Sequence, residues 1–113
     1  MRLEVRKYLY DIGQAADLIG EFTVGKQFSD YEGNSMLRAA VERKFEIIGE
    51  ALSKLTKVDS AIASRISERA RIIAFRNILI HGYAETDDQL VWDIVENKLP
   101  VLRREVDELL AKP

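Results

Sequence analysis

Residues 72–80 read Ile-Ile-Ala-Phe-Arg-Asn-Ile-Leu-Ile and are followed at once by His81, Gly82 and Tyr83. On a helix, at about 100° per residue, the apolar side chains of this stretch point almost all the way round the axis. A helix that is apolar on every side belongs inside a protein. The stretch therefore predicts a buried helix, interrupted by Arg76, Asn77 and the only histidine of the chain, His81. A buried guanidinium is costly unless it is paired or engages a ligand. The placement of Arg76 is the feature that any fold for this chain has to accommodate.

The flanking sequence supplies helices for this segment to pack on. Leu3, Tyr8, Leu9, Ile12, Ala15, Ala16 and Ile19 recur mainly at three- and four-residue spacing and predict a first helix over residues 2–22, with Gly25 as its terminator. Residues 25–34 are rich in turn formers and read as a loop. A second helix over 35–56, capped by Asn34 or Ser35, carries a wide apolar face from Met36 to Leu55. Gly49 inside it costs about 1 kcal/mol relative to Ala and suggests a close helix approach. Asp59 or Ser60 starts a short helix through about 66, and Ser67 starts the focal helix, which Gly82 ends. Thr86-Asp87-Asp88-Gln89 has the form of a capping box opening a last helix over about 87–111, in which Pro100 should produce a kink. No segment shows strand alternation. The expected fold is all-α: an up-down helical bundle of four main helices plus one short helix, in a single domain over residues 1–113.

The 113 residues suffice for one modest core. With 17 Lys and Arg against 19 Asp and Glu, the net charge of -2 provides no global footprint for nucleic acid, so RNA binding would need a local cation cluster. The absence of cysteine excludes disulfides and thiolate metal sites, and one histidine makes a zinc site improbable within one subunit. No apolar run approaches a membrane span, and charged residues break every apolar window near Met1. These features indicate a soluble, cytoplasmic protein with no membrane partner.

Asn77 and His81 lie four residues apart, one above the other on the helix, and His81 falls about 140° round the axis from Arg76. Arginine offers a planar fork suited to phosphate. Histidine exchanges protons near neutral pH. Asparagine can hydrogen-bond a phosphate oxygen, a hydroxyl or the imidazole. These groups suit attack on an RNA phosphodiester, where the 2′-hydroxyl is the nucleophile and the enzyme supplies a base, an acid and a cation. Neither metal nor cofactor is required. Base plus acid usually means two groups, and a two-fold homodimer would bring two copies of His81 and Arg76 into one cleft.

A structural reading competes with this one. A histidine near a helix C-terminus often complements the terminal carbonyls, and Arg76 could pair with Glu46 or Glu50 of the second helix. Glu46 and Glu50 could instead support the site by orienting Arg76, or sit on a solvated face. Arg65, Arg69 and Arg71 could guide an RNA backbone or form a solvated face equally well. Trp92, Tyr8, Tyr10 and Phe75 are expected in the core or in a dimer contact.

Arg76-Asn77-x-x-x-His81-Gly82-Tyr83, closing a helix in a small all-α chain, resembles the HEPN superfamily, specifically its HepT-like branch. The pattern of that branch is Arg, four residues, His, any residue, Tyr, which Arg76, His81 and Tyr83 match without a gap. The segment Phe45-Glu46-Ile47-Ile48-Gly49-Glu50-Ala51 looks like its second recurring segment, and the helix order and the start of the last helix agree. The resemblance covers nearly the whole chain. It implies a dimeric bundle with a metal-independent ribonuclease site at the dimer interface, with Arg76 and His81 catalytic. It also implies a toxin paired with a minimal nucleotidyltransferase antitoxin, which transfers AMP from ATP to the motif tyrosine, here Tyr83. A bulky anion there would occupy the phosphate site and repel RNA. Two other readings remain beside the ribonuclease toxin: a catalytically silent helical partner of a nucleotidyltransferase that binds nucleotide, and a purely structural dimer.

Overall fold

The structure, a computed structural model, describes residues 1–81 and 87–112. Every regular element among them is helical. Helix α1 (Leu3–Thr23) turns Val5, Leu9, Ile12, Ala15, Ala16 and Ile19 inward. It ends where Gly25 adopts a φ of 72°, a left-handed conformation that glycine tolerates best. The segment expected to be a loop contains a short helix, α2 (Phe28–Glu32), opened by a capping box between Gln27 and Asp30. The turn-forming composition concealed it, because those polar residues here act as caps. Tyr31 of α2 is fully buried.

Helix α3 (Ser35–Val58) starts at Asn34, whose Oδ1 accepts from the Leu37 amide at 3.0 Å. Asp59 caps α4 (Ser60–Ala63) in the same way, and tight turns carry the chain on to Ile66. The focal helix α5 (Arg69–His81) begins two residues later than expected. Ser67 instead anchors its approach, donating from its amide and its Oγ to Glu105 Oε1, both at 3.1 Å.

Asp87 caps α6 (Asp88–Asp93), accepting from the amides of Gln89 and Leu90. The expected cap at Thr86 and the expected terminator Gly82 lie outside the described residues. The long last helix is not continuous. A π-helical turn, Ile94–Lys98, separates α6 from α7 (Leu99–Ala111), and Pro100 sits in the first turn of α7. The expected disturbance at the proline thus occurs just before it. The π turn resets the register where Pro100 has no N–H to donate and its ring would clash with the preceding turn.

Helix α3 lies between α1 and α5, and α1 packs on α7 as well, while α2 contacts α3 and α6. One hydrophobic core runs through the bundle, from Val5 to Leu109. No helix among the described residues is long and apolar enough to cross a membrane.

The prediction of a fully buried focal helix needs correction. Helix α5 buries only Ile72 and Phe75, whereas Ile78 and Ile80 are 42% and 41% exposed. The helix occupies one flank of the bundle, with α3 as its main neighbour, so among the described residues its last two turns are covered on one side only.

Candidate active site

The rotation of α5 is set by Phe75, whose ring meets Phe45 of α3 edge-on at 5.4 Å between centroids. One residue further, Arg76 crosses α3 at Gly49. A Cβ added to Gly49 would lie 2.7 Å from Arg76 Cγ and closer still to Arg76 Cβ. Only a hydrogen fits there, so the glycine allows the two helices to touch and the arginine stem to lie between them. This accounts for a glycine within an otherwise regular helix.

The guanidinium is thereby held in an unusual setting. Its Nε is buried and has no hydrogen-bond partner among the described residues. Its Nη1 donates to Asn77 Oδ1 at 3.3 Å. One edge of the fork is dry and the other is steered by the neighbouring amide. Leaving a charged donor unmatched costs more than leaving a neutral one, and the Nη edge is the part of the fork open to a ligand.

His81 is exposed and closes α5. Five residues of helix separate it from Arg76, a rise of about 7.5 Å. Arg76, Asn77 and His81 are thus brought onto the last turns of one helix. Tyr83 lies outside the described residues.

The structure brings neither Glu46 nor Glu50 into an ion pair with Arg76 among the described residues. Glu50 pairs with Lys54 at 3.3 Å, and both side chains are about half exposed (50% and 54%). Glu46 is half-buried. Helix α3 presents Gly49 rather than a carboxylate to Arg76. Of the three arginines upstream, Arg71 pairs with Glu68 at 3.6 Å, and Arg65 lines a small cavity with Glu105 and Glu108. Trp92 and Phe75 are core residues as expected and Tyr8 packs against the core, but Tyr10 is 58% exposed.

A polar corner that the sequence did not announce lies where α2, α3 and α6 meet. The Tyr31 ring stacks on Trp92 at 5.4 Å, and its buried hydroxyl has no hydrogen-bond partner among the described residues. Burial, and then the charges of Glu42 and Asp88, push the phenol pKa upward. Burial also raises the Glu42 carboxyl, with Asp88 adding to the effect and Arg38 opposing it. Arg38 in turn reaches Asp88 at 4.0 Å. Arg38 and Glu42 lie four apart on α3, but no spacing rule brings Tyr31 of α2 or Asp88 of α6 to them, so only their meeting in space reveals the cluster.

The arrangement defines an all-α bundle with an Arg-x-x-x-x-His helix on its flank. Residues 12–109 match the ribonuclease HepT-like family. A candidate RNase of Methanocaldococcus jannaschii is 36% identical over 104 residues, which cover 92% of this chain and 94% of that protein. A candidate RNase of Caldanaerobacter subterraneus is 32% identical over 107 residues, covering 95% of each. The probable ribonuclease HepT of Thermococcus cleftensis is 32% identical over 109 residues, covering 96% of this chain and 98% of its own length. The chain belongs to the HepT-like family of the HEPN superfamily. No solved structure matches it.

Proposed function

We propose that this protein is a metal-independent endoribonuclease toxin whose composite active site forms between two copies of the chain. The observation that carries the reading is Arg76: its stem is buried against Gly49, its Nε lacks a partner among the described residues, and its outer edge is steered by Asn77. The Nη edge that Asn77 steers suits a phosphate oxygen.

His81 of one copy takes the proton of the RNA 2′-hydroxyl. The 2′-oxygen attacks phosphorus, and Arg76 stabilises the charge that builds on the non-bridging oxygens. The bond from phosphorus to the 5′-oxygen breaks, and protonated His81 of the second copy donates to that leaving oxygen. The products are a 2′,3′-cyclic phosphate and a 5′-hydroxyl, and RNA itself supplies the nucleophile. Ile78 and Ile80, exposed on the last turns of α5, supply apolar surface for the contact between copies.

The same reading makes Tyr83 the acceptor of AMP from a minimal nucleotidyltransferase antitoxin acting in the cytoplasm. The tyrosine oxygen attacks the α-phosphorus of ATP and pyrophosphate leaves. The added phosphate would compete with RNA for Arg76.

Cleavage of total cellular RNA in EDTA, wild type against His81→Ala, tests the activity, with intact mass recorded to detect AMP on Tyr83. Cleavage by unmodified wild type and none by the folded variant is the expected result. No cleavage by an unmodified, dimeric wild type across several RNAs would overturn it and leave a silent, partner-binding subunit as the better account.

A further inference from the structure

The stripe of α5 that bears Arg76 continues toward the start of the helix, and there it carries a second arginine. Arg69 is the first residue of α5 and lies seven residues before Arg76. The two arginines therefore share one stripe of the helix to within about 20°. That stripe is the one turned to α3, because a Cβ at Gly49 would meet Arg76 and lie 3.4 Å from the carbonyl oxygen of Ile72.

Arg69 is half-buried, yet it has no ion pair or side-chain hydrogen bond among the described residues. Its neighbour Glu68 is occupied by Arg71 at 3.6 Å and by Lys98 at 3.3 Å. Between Ala51 and Val58, α3 carries Lys54 and Lys57 and no carboxylate. The nearby Glu50 is already bound to Lys54. Arg65 is exposed and shares a small cavity with Glu105 and Glu108, and Arg71 is paired. Of the three upstream arginines, Arg69 is the one that is half-buried without an ion pair among the described residues.

We propose that Arg69 binds a backbone phosphate of the RNA about three nucleotides from the one held by Arg76. The seven-residue separation is about 10.5 Å along the helix, and a stacked strand advances roughly 3.4 Å per nucleotide. The inference rests on the ribonuclease reading above and extends it. The substrate is a single-stranded segment of at least about four nucleotides laid along α5, tracked by two arginines whose planar forks suit phosphate.

The test is fluorescence anisotropy with a labelled, uncleavable 2′-O-methyl RNA octamer, titrated at several KCl concentrations against wild type, Arg69→Gln, Arg69→Lys and Arg71→Gln. Thermal melts of the same samples report on folding. Arg69→Gln should weaken binding about tenfold and reduce the slope of log Kd against log salt by about 0.7–1. Arg69→Lys should recover most of the slope, and Arg71→Gln should match wild type. A stem that merely packs would instead lower the melting temperature equally in Arg69→Gln and Arg69→Lys with no loss of slope, which overturns the proposal. Equal losses in Arg71→Gln also overturn it, since the field would then be diffuse. Wild-type binding that Arg69→Gln leaves unchanged removes Arg69 alone and leaves the ribonuclease reading to the cleavage assay. Failure of the wild type to bind the RNA at all removes both.

Discussion

The stem of Arg76 occupies the space that any side chain at Gly49 would need, so the two residues fix each other across the α3–α5 contact. Gly49→Ala gains helix propensity of about 1 kcal/mol. It also forces a methyl group into the arginine stem, an overpacking that costs roughly 1–3 kcal/mol. The expected outcome is little net change or modest destabilisation, with a much larger loss of RNA cleavage because the guanidinium moves. Urea unfolding measured beside the cleavage assay separates the two effects. Wild-type cleavage by Gly49→Ala would show that the position of Arg76 does not matter.

Tyr31→Phe should stabilise the protein. The hydroxyl is buried without a partner among the described residues, and an unsatisfied buried group costs about 1–3 kcal/mol. The stacking of the ring on Trp92 survives the change. A rise in the urea midpoint with an unchanged slope is the expected result, and a fall would reveal a hydrogen bond to that oxygen.

Glu42 gives the stability a dependence on pH whose sign follows from its environment. Its folded pKa is raised, first by burial and then by Asp88. As pH rises past about 4.3, the unfolded chain loses this proton while the folded chain keeps it. Stability therefore falls as pH rises from there through the raised folded value. Glu42→Gln should remove that decline and raise the melting temperature at neutral pH, while matching wild type in acid. Melting curves of both proteins across that range are the check, and parallel curves would exclude the effect.

Ile80→Glu tests the proposed dimer. The residue is 41% exposed, so the single chain loses little on substitution. A carboxylate repeated across a two-fold contact is repelled and desolvated. The expected product is a folded monomer by light scattering that no longer cleaves RNA. A dimer of wild-type affinity would place the contact elsewhere.

Much of this protein could be read from its sequence for definite physical reasons. The three- and four-residue apolar spacing determined α1, α3 and the last helical stretch, because burying one face of a helix leaves a period that nothing else produces. Asn34 and Asp59 were legible as caps because a short polar side chain before an apolar run satisfies free amides. The resemblance carried by residues 76–83 likewise needed no coordinates to point to the family.

Tertiary structure decided what spacing cannot encode. Residues 72–80 are apolar all round, yet burial depends on how many neighbours a helix has, and the flank position of α5 leaves Ile78 and Ile80 outside. Arg76 could have met Glu46 or Glu50 on sequence grounds; the rotation of α3 turns Gly49 to it instead, and sends Glu50 to Lys54. The corner of Tyr31, Arg38, Glu42 and Asp88 joins residues from three helices, and a one-dimensional pattern holds no term for such a meeting. The sequence by itself determined the long helices and the family motif, because both are local properties of side chains, while the short helix α2 escaped it. The packing of the helices decided which residues touch, which stay dry and which face solvent, because those depend on distances between segments far apart in the chain.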